Sequence, residues 1–195
     1  MTNRNIYHYV LENFEGRLRK IGKGWKDFTK AEARTAVNTL VREQAAVYGD
    51  GVLYSDHKLE HSIGIIENVL VRTVSSIQYQ LGKGRFAPRG YEIRFEHAQS
   101  LSDIKAGLTE EEKLVLRGKI DRVDTLEDGD NVYIKVVDYK SGNRDIDLTL
   151  LYYGLQLQLV VYMDEAMRME RERHPSKNII PGAVLYYHVD DPVVG

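Results

Sequence analysis

The chain has 195 residues, 43 % of them hydrophobic, which is enough for one domain with a sizeable core. Its formal net charge of −2 argues against a protein that coats nucleic acid non-specifically, although an enzyme with local basic groups is compatible with it. The absence of cysteine excludes disulfides, thiolate zinc sites and iron–sulfur clusters held by this chain.

The first 85 residues predict a mostly helical lobe. Apolar residues at helical spacing predict a first helix from about Asn5 to Lys20. Thr29, followed three positions later by Glu32, forms a capping-box pattern that opens a second helix to about Val47. A third helix is expected from about Asp56 to Leu81.

The hydrophobic period changes after Pro88, where apolar and polar residues begin to alternate as in a strand. The alternation predicts a first strand at Gly90–Glu96 and a second from about Lys113 to Val123. Glu127–Asp130 has the composition of a hairpin turn, and a third strand is expected at Val132–Tyr139.

The rest of the chain predicts one more helix and one more strand. The helix is expected from about Leu148 to Arg173, with a break near Gly154. Pro175 and Pro181 bracket a predicted loop, and Ala183–Val189 is predicted as the final strand. The order ααα-βββ-α-β predicts an α/β fold with a mixed central sheet flanked by helices, because the last strand follows a helical crossover.

The segment VVDYKSG, residues 136–142, joins an apolar strand to an acid and a base. Residues two apart in a strand share a face, so Val136, Asp138 and Lys140 lie on one side. Burying charge is costly unless the charge is matched. Two interpretations follow: an ion pair that caps the strand, or a metal ligand beside a catalytic lysine.

A second acid, Asp121, lies in the preceding strand within the segment GKIDRVD. The tight turn makes the two strands antiparallel neighbours, although spacing alone does not fix whether Asp121 and Asp138 are directly opposed. Two close carboxylates repel, and a divalent Mg²⁺ or Mn²⁺ ion resolves that repulsion. Arg122 and Asp124 have the opposite strand parity, and we expect them to form a structural ion pair.

The combination of GKIDRVD, VVDYKSG and LQLQLVVY resembles the RecB-like branch of the PD-(D/E)XK nucleases. Within it, the chain is most similar to the carboxy-terminal nuclease domain of the B subunits of AddAB-type (RexAB-type) helicase–nucleases. The resemblance spans nearly the whole chain and implies a restriction-endonuclease-like core. It implies that Asp121 and Asp138 bind the metal, aided by the backbone carbonyl of Tyr139, and that Lys140 is the catalytic lysine.

Four further residues take roles from this resemblance. Gln158 and Tyr162, four apart on one helix face, would contact DNA phosphate and support the site. His8, in the first helix, would ligate the metal, although Arg4 stands where the family usually has glycine. Glu92 matches a family acid that faces or supports the metal, and an exposed strand glutamate is the alternative interpretation.

The resemblance implies a Mg²⁺-dependent exodeoxyribonuclease that cuts single-stranded DNA supplied by a helicase, in double-strand break repair. The A subunit of the complex would be its partner, and a cytoplasmic location is expected because no signal peptide or membrane span is evident. We expect a single nuclease domain over residues 1–195, with its β-sheet core at 88–192, cut from a longer chain. The family's iron–sulfur cluster cannot form here. The alternatives are a catalytically inactive DNA-binding or scaffold domain of the same fold, and a structural ion-pair network without metal affinity.

Overall fold

The computed structural model describes most of the chain and divides into two compact units. The described residues are 3–48, 57–100, 113–140, 149 and 157–189. Unit 1 comprises Met1–Ala87, Tyr139–Ile146 and Tyr186–Gly195, and unit 2 comprises Pro88–Asp138 and Asp147–Leu185. The first unit carries the helical lobe that the sequence predicts, and the second carries most of the sheet.

Three long helices form unit 1: α1 at Asn3–Lys20, α2 at Lys30–Tyr48 and α3 at His57–Gly82. All three predicted helices are confirmed within two residues at each end where the chain is described. Helix α1 ends in a Schellman motif, because the Lys23 N–H donates to the Leu18 carbonyl while Gly22 has a φ of +72°. Glycine adopts this left-handed conformation without the steric penalty of a Cβ atom.

The predicted capping box opens α2. The Glu32 N–H donates to the Thr29 hydroxyl at 3.3 Å, and the Thr29 N–H donates to the Glu32 carboxylate at 2.7 Å. Lys23 also donates to that carboxylate at 2.8 Å. The hydrogen bond from Lys23, followed by those from Thr29, lowers the pKa of Glu32 to about 2. Glu32 therefore stays ionised at physiological pH and keeps the cap formed.

An aromatic cluster connects α1 to the segment before α2. The Phe14 ring lies 5.0 Å from the Trp25 ring and 5.3 Å from the Phe28 ring, measured between centroids. All three side chains are buried, and α3 reaches the same cluster because the Gln78 amide donates to the Phe28 carbonyl at 2.8 Å. Burial of this apolar area stabilises the helical lobe through the hydrophobic effect.

Four strands form one sheet in the order β1-β2-β3-β4. Their bounds are Ala87–Ser100, Lys113–Asp128, Asn131–Lys140 and Asn178–His188, and helix α4 at Gln158–Arg173 precedes β4. The sheet is mixed and accompanied by four helices in the described residues, so the predicted α/β fold class is confirmed. The predicted break near Gly154 and the predicted loop at 49–54 lie outside the described residues.

Strands β2 and β3 form an antiparallel hairpin with a two-residue loop. Asp128 pairs with Asn131, and Gly129 between them has a φ of +58°. The pairing continues regularly to Arg122, which lies opposite Val137. The prediction that the second strand ends near Val123 is wrong, because the polar residues that follow it still pair their main chain with β3 as far as the turn.

Strand β4 runs parallel to β3. At its start the Asn178 N–H donates to the Asp130 carbonyl at 2.8 Å, and beyond its end the Val189 N–H donates to the Lys140 carbonyl at 2.9 Å. The predicted loop ending at Pro181 is wrong, because this proline lies inside β4. An edge strand tolerates proline, since one side of its main chain has no partner strand and needs no donor.

No helix in the described part of the chain combines the length and the hydropathy that a bilayer crossing requires.

Candidate metal centre

The hairpin register brings the two predicted metal-binding carboxylates to neighbouring strands. Arg122 and Val137 are opposed, and the next residue beyond each is Asp121 on β2 and Asp138 on β3. Opposed residues of an antiparallel pair project to the same face of the sheet. Both residues are buried, with exposed fractions of 5 % and 2 %. The fold therefore brings both acids to the same end of the paired stretch of β2 and β3, in a region shielded from water.

Helix α4 contributes the other predicted pair of site residues. The Gln158 amide donates to the Tyr162 hydroxyl at 2.8 Å, which confirms that these residues share a helix face. Burial raises the pKa of the Tyr162 phenol, the negative charges of Asp138 and Asp121 raise it further, and the Gln158 hydrogen bond opposes the shift. The phenol therefore stays protonated at neutral pH, close enough to both carboxylates to experience their charge.

Gly118 has no side chain, which lets the Tyr162 ring approach strand β2. A Cβ atom at Gly118 would lie 2.4 Å from the Phe95 ring and 3.2 Å from the Tyr162 ring. These two rings pack edge to face at 5.9 Å between centroids. Sequence reasoning missed Phe95, because the contact joins β1 to β2 across a long connection and no local pattern marks it.

Replacement of Gly118 with alanine is expected to lower the free energy of unfolding by about 1–3 kcal/mol, because the added methyl group overlaps the Phe95 ring. Urea denaturation measures this change. Gly64→Ala is the control, since that glycine lies inside α3 and no atom lies within 4 Å of the position that an added methyl group would take. The control should be neutral or more stable by up to about 1 kcal/mol. Equal stability of Gly118→Ala and the parent would contradict the packing.

Glu92 lies on β1 with a φ of +49°, which is unusual for a residue with a side chain. Its side chain is 9 % exposed and forms an ion pair with Lys119. The alternative of an exposed strand glutamate is therefore wrong. Backbone strain of this kind costs on the order of 1–3 kcal/mol and concentrates at functional sites. The strain and the burial support a functional role for Glu92.

The expected ion pair between Arg122 and Asp124 is confirmed. The Arg122 guanidinium contacts both carboxylate oxygens of Asp124, at 2.8 and 2.9 Å, and the two side chains are 2 % and 0 % exposed. Lys135, directly opposite Asp124 on β3, contacts the same carboxylate at 2.7 Å. The two cations, Arg122 on β2 and Lys135 on β3, both contact the one carboxylate, so these charges belong to the framework of the hairpin.

Unit 1 contains the remaining predicted site residues. The Lys140 ammonium lies 5.1 Å from the centre of the Tyr186 ring, a cation–π distance. The Tyr139 ring packs edge to face with the Tyr187 ring at 5.9 Å and with the His8 ring at 6.3 Å. His8 therefore contacts the residue that directly follows Asp138 and precedes Lys140 in the chain. The sequence did not identify Tyr186 as a neighbour of the lysine.

The donor set fits a hard divalent cation. Adjacent buried carboxylates repel unless a proton or a cation lies between them, and Mg²⁺ and Mn²⁺ prefer carboxylate oxygen. The ammonium of Lys140 is carried two residues beyond Asp138 on β3, and it is 9 % exposed. A cation held by paired carboxylates can polarise an electrophilic centre that carries negative charge.

A comparison with family sequence models gives one match over almost the whole chain. The model described as the PD-(D/E)XK nuclease superfamily matches residues 5–195. This range includes the paired acids, Lys140 and the Gln158–Tyr162 pair.

Curated relatives give a consistent result. The chain is 37 % identical over 190 residues to a protein of Lachnoclostridium phytofermentans that is named as the B subunit of an ATP-dependent helicase/deoxyribonuclease. Proteins with the same name from Alkaliphilus oremlandii and Clostridium tetani are 32 % and 34 % identical over 189 residues. Each alignment covers 97 % of this chain and 16 % of the relative, so the chain spans about one sixth of the length of these relatives.

Proposed function

The chain belongs to the PD-(D/E)XK nuclease superfamily, and from that premise we propose that it is a metal-dependent deoxyribonuclease domain. One observation carries the proposal: Asp121 and Asp138 are buried neighbours on adjacent strands, and Lys140 follows Asp138 by two residues. A structural ion pair needs one acid and one base, whereas a second buried acid adds repulsion that a cation must offset.

The metal ligands proposed are Asp121 and Asp138, with the Tyr139 carbonyl as a further oxygen donor. A bound Mg²⁺ or Mn²⁺ ion polarises a phosphodiester and lowers the pKa of a coordinated water. His8 is proposed as an additional ligand, because its ring contacts the Tyr139 side chain directly after Asp138. Glu92, half-buried and strained, is proposed to support the ligands through its ion pair with Lys119.

Lys140 is proposed to orient the attacking water and to offset negative charge that develops on the phosphate oxygens. The Tyr186 ring holds the ammonium in place by the cation–π contact. Tyr162 and Gln158 supply neutral hydrogen-bond donors, and we propose that they contact the phosphate. The raised pKa of the Tyr162 phenol suits this role, because a protonated phenol donates to an anion, whereas a phenolate would repel it.

The relatives' names support a place beside a DNA-unwinding motor. They are B subunits of ATP-dependent helicase/deoxyribonucleases. We propose that this domain acts in the cytoplasm as an exonuclease on a single strand delivered by a helicase partner, during repair of double-strand breaks.

Metal removal tests the proposal. The full-length protein is incubated with end-labelled single-stranded DNA and Mg²⁺, and the same reaction is run with excess EDTA. We expect cleavage in the first reaction, a loss of about 100-fold or more with EDTA, and recovery when Mg²⁺ or Mn²⁺ is restored. Gel electrophoresis of the products measures the rate.

Two different results of this experiment would contradict the proposed function. Cleavage that is insensitive to EDTA would show that the paired acids do not use a metal. DNA binding without cleavage in either metal would favour the inactive scaffold alternative.

A further inference from the structure

A shallow cavity, largely open to solvent, lies between β1 and β2 in unit 2. Its volume is about 520 Å³, and residues 94–96 of β1 and 117–119 of β2 line it. These are Arg94, Phe95, Glu96, Arg117, Gly118 and Lys119. Arg94 and Arg117 are not among the predicted site residues, and the resemblance assigned them no role.

The cavity lining carries three cations and one carboxylate. The Arg117 side chain is 71 % exposed and that of Lys119 is 45 % exposed, so both charges remain accessible to a ligand. Arg117 contacts Glu96 at 2.7 Å, and the Glu96 side chain is 61 % exposed. An exposed ion pair of this kind contributes little free energy. A stronger anion can therefore displace Glu96, and phosphate forms bidentate hydrogen bonds with guanidinium groups.

The lining of the cavity on β2 ends at Lys119, two residues before Asp121 in the same strand. Arg117, Lys119 and Asp121 alternate along this strand and therefore share one face. Successive residues on one face of a strand are about 7 Å apart. Arg117 and Asp121 are two such steps apart, about 14 Å, which matches two phosphates of an extended single strand that have one further phosphate between them.

The aromatic side chain in this lining does not favour base recognition. Phe95 is 7 % exposed, because its ring packs over Gly118 and against Tyr162. A buried ring offers no face on which a base could stack. Cations outnumber the one carboxylate among the accessible groups, which favours contact with the sugar–phosphate backbone and no preference for sequence.

We propose that Arg94 and Arg117 form a phosphate-binding subsite that holds the DNA backbone beside the phosphate that is cleaved. The subsite rests on the proposed nuclease function and adds a contact to it. Glu96 competes with the phosphate for the Arg117 guanidinium. Removal of the Arg117 charge is therefore expected to weaken the affinity for DNA, and removal of the Glu96 charge to strengthen it.

Binding is tested with the full-length protein and a fluorescein-labelled oligothymidylate in EDTA, so that cleavage does not interfere. Arg117→Gln is expected to weaken binding about fivefold and to reduce the slope of log K against log salt by about 0.7, the loss of one phosphate contact. Glu96→Gln is expected to strengthen binding about twofold, because it frees Arg117.

Arg19→Gln is the matched control. Arg19 lies on α1, its side chain is 75 % exposed, and it contacts Glu15 at 2.7 Å as Arg117 contacts Glu96. If Arg117→Gln changes affinity and salt slope no more than Arg19→Gln, the subsite is wrong. If Glu96→Gln weakens binding, the proposed competition is wrong.

Cleavage kinetics with Mg²⁺ separate this proposal from the proposed function. Arg117→Gln should raise KM about fivefold with kcat nearly unchanged, because the contact is made equally in the ground and transition states. A parent enzyme that cleaves DNA, combined with an unchanged KM in Arg117→Gln, would overturn the subsite and leave the nuclease function standing. A parent that binds DNA through Arg117 but never cleaves it would overturn the nuclease function instead.

Discussion

Replacement of Asp138 with asparagine is expected to lower the rate of DNA cleavage by about 1,000-fold or more. The amide keeps the size of the side chain but removes the negative charge that would hold the metal. Asp138 is 2 % exposed, so water cannot readily supply a substitute ligand without disturbing the strand. Single-turnover cleavage of labelled single-stranded DNA with Mg²⁺ measures the effect.

Asp138→Asn is not expected to lower the stability of the protein, although it lowers the cleavage rate. Without metal, Asp121 and Asp138 repel each other, and Asp138→Asn removes that repulsion. The free energy of unfolding in EDTA is expected to stay equal or to rise by about 1 kcal/mol. A stabilised but inactive variant would identify a site whose charges serve function at the expense of stability.

Asp130→Asn provides the matched control, because Asp130 is an exposed aspartate of the same hairpin. It should cleave DNA at the parental rate. If Asp138→Asn also cleaves at the parental rate, the metal does not bind at this strand end. If Asp138→Asn loses both activity and stability, its carboxylate has a structural role that the hairpin geometry does not reveal.

Replacement of Arg122 with methionine is expected to lower the free energy of unfolding by about 3–5 kcal/mol. Asp124 is 0 % exposed, and Arg122 supplies two of the contacts to its carboxylate. The variant leaves a buried negative charge with Lys135 as its remaining cation among the contacts described. Urea or thermal denaturation measures the loss.

Two comparisons make this second prediction specific. The surface variant Arg19→Met removes an ion pair whose arginine is 75 % exposed, and it should change stability by less than about 0.5 kcal/mol. The double variant Arg122→Met, Asp124→Leu removes the Arg122 and Asp124 charges but also the carboxylate that Lys135 contacts, so it should recover part of the loss. A loss below about 1 kcal/mol in Arg122→Met would show that water or rearrangement compensates the Asp124 carboxylate.

The local features of this protein followed from its sequence. The Thr29–Glu32 capping box has its predicted hydrogen bonds, and Gln158 and Tyr162 share the predicted helix face, where a hydrogen bond joins them. Such contacts depend on the periodicity of one helix or one turn, which neighbouring residues determine.

The bounds of the strands were less predictable. Strand β2 extends to Asp128, and β4 includes Pro181, although local composition indicated turns at both places. Main-chain pairing with β3 extends β2, and the edge position of β4 in the sheet tolerates its proline. Partner strands, which are distant in sequence, override the local preference in both cases.

The sequence by itself determined that Asp138 and Lys140 share a strand face, because alternation along a strand is a local property. The tertiary structure decided that Asp121 is the neighbour of Asp138, since a two-residue loop at Gly129 sets the register. A slip of one residue would turn every side chain of the strand to the other face. The approach of Phe95 to Gly118 likewise depends on the pairing of distant strands, which local sequence patterns do not encode.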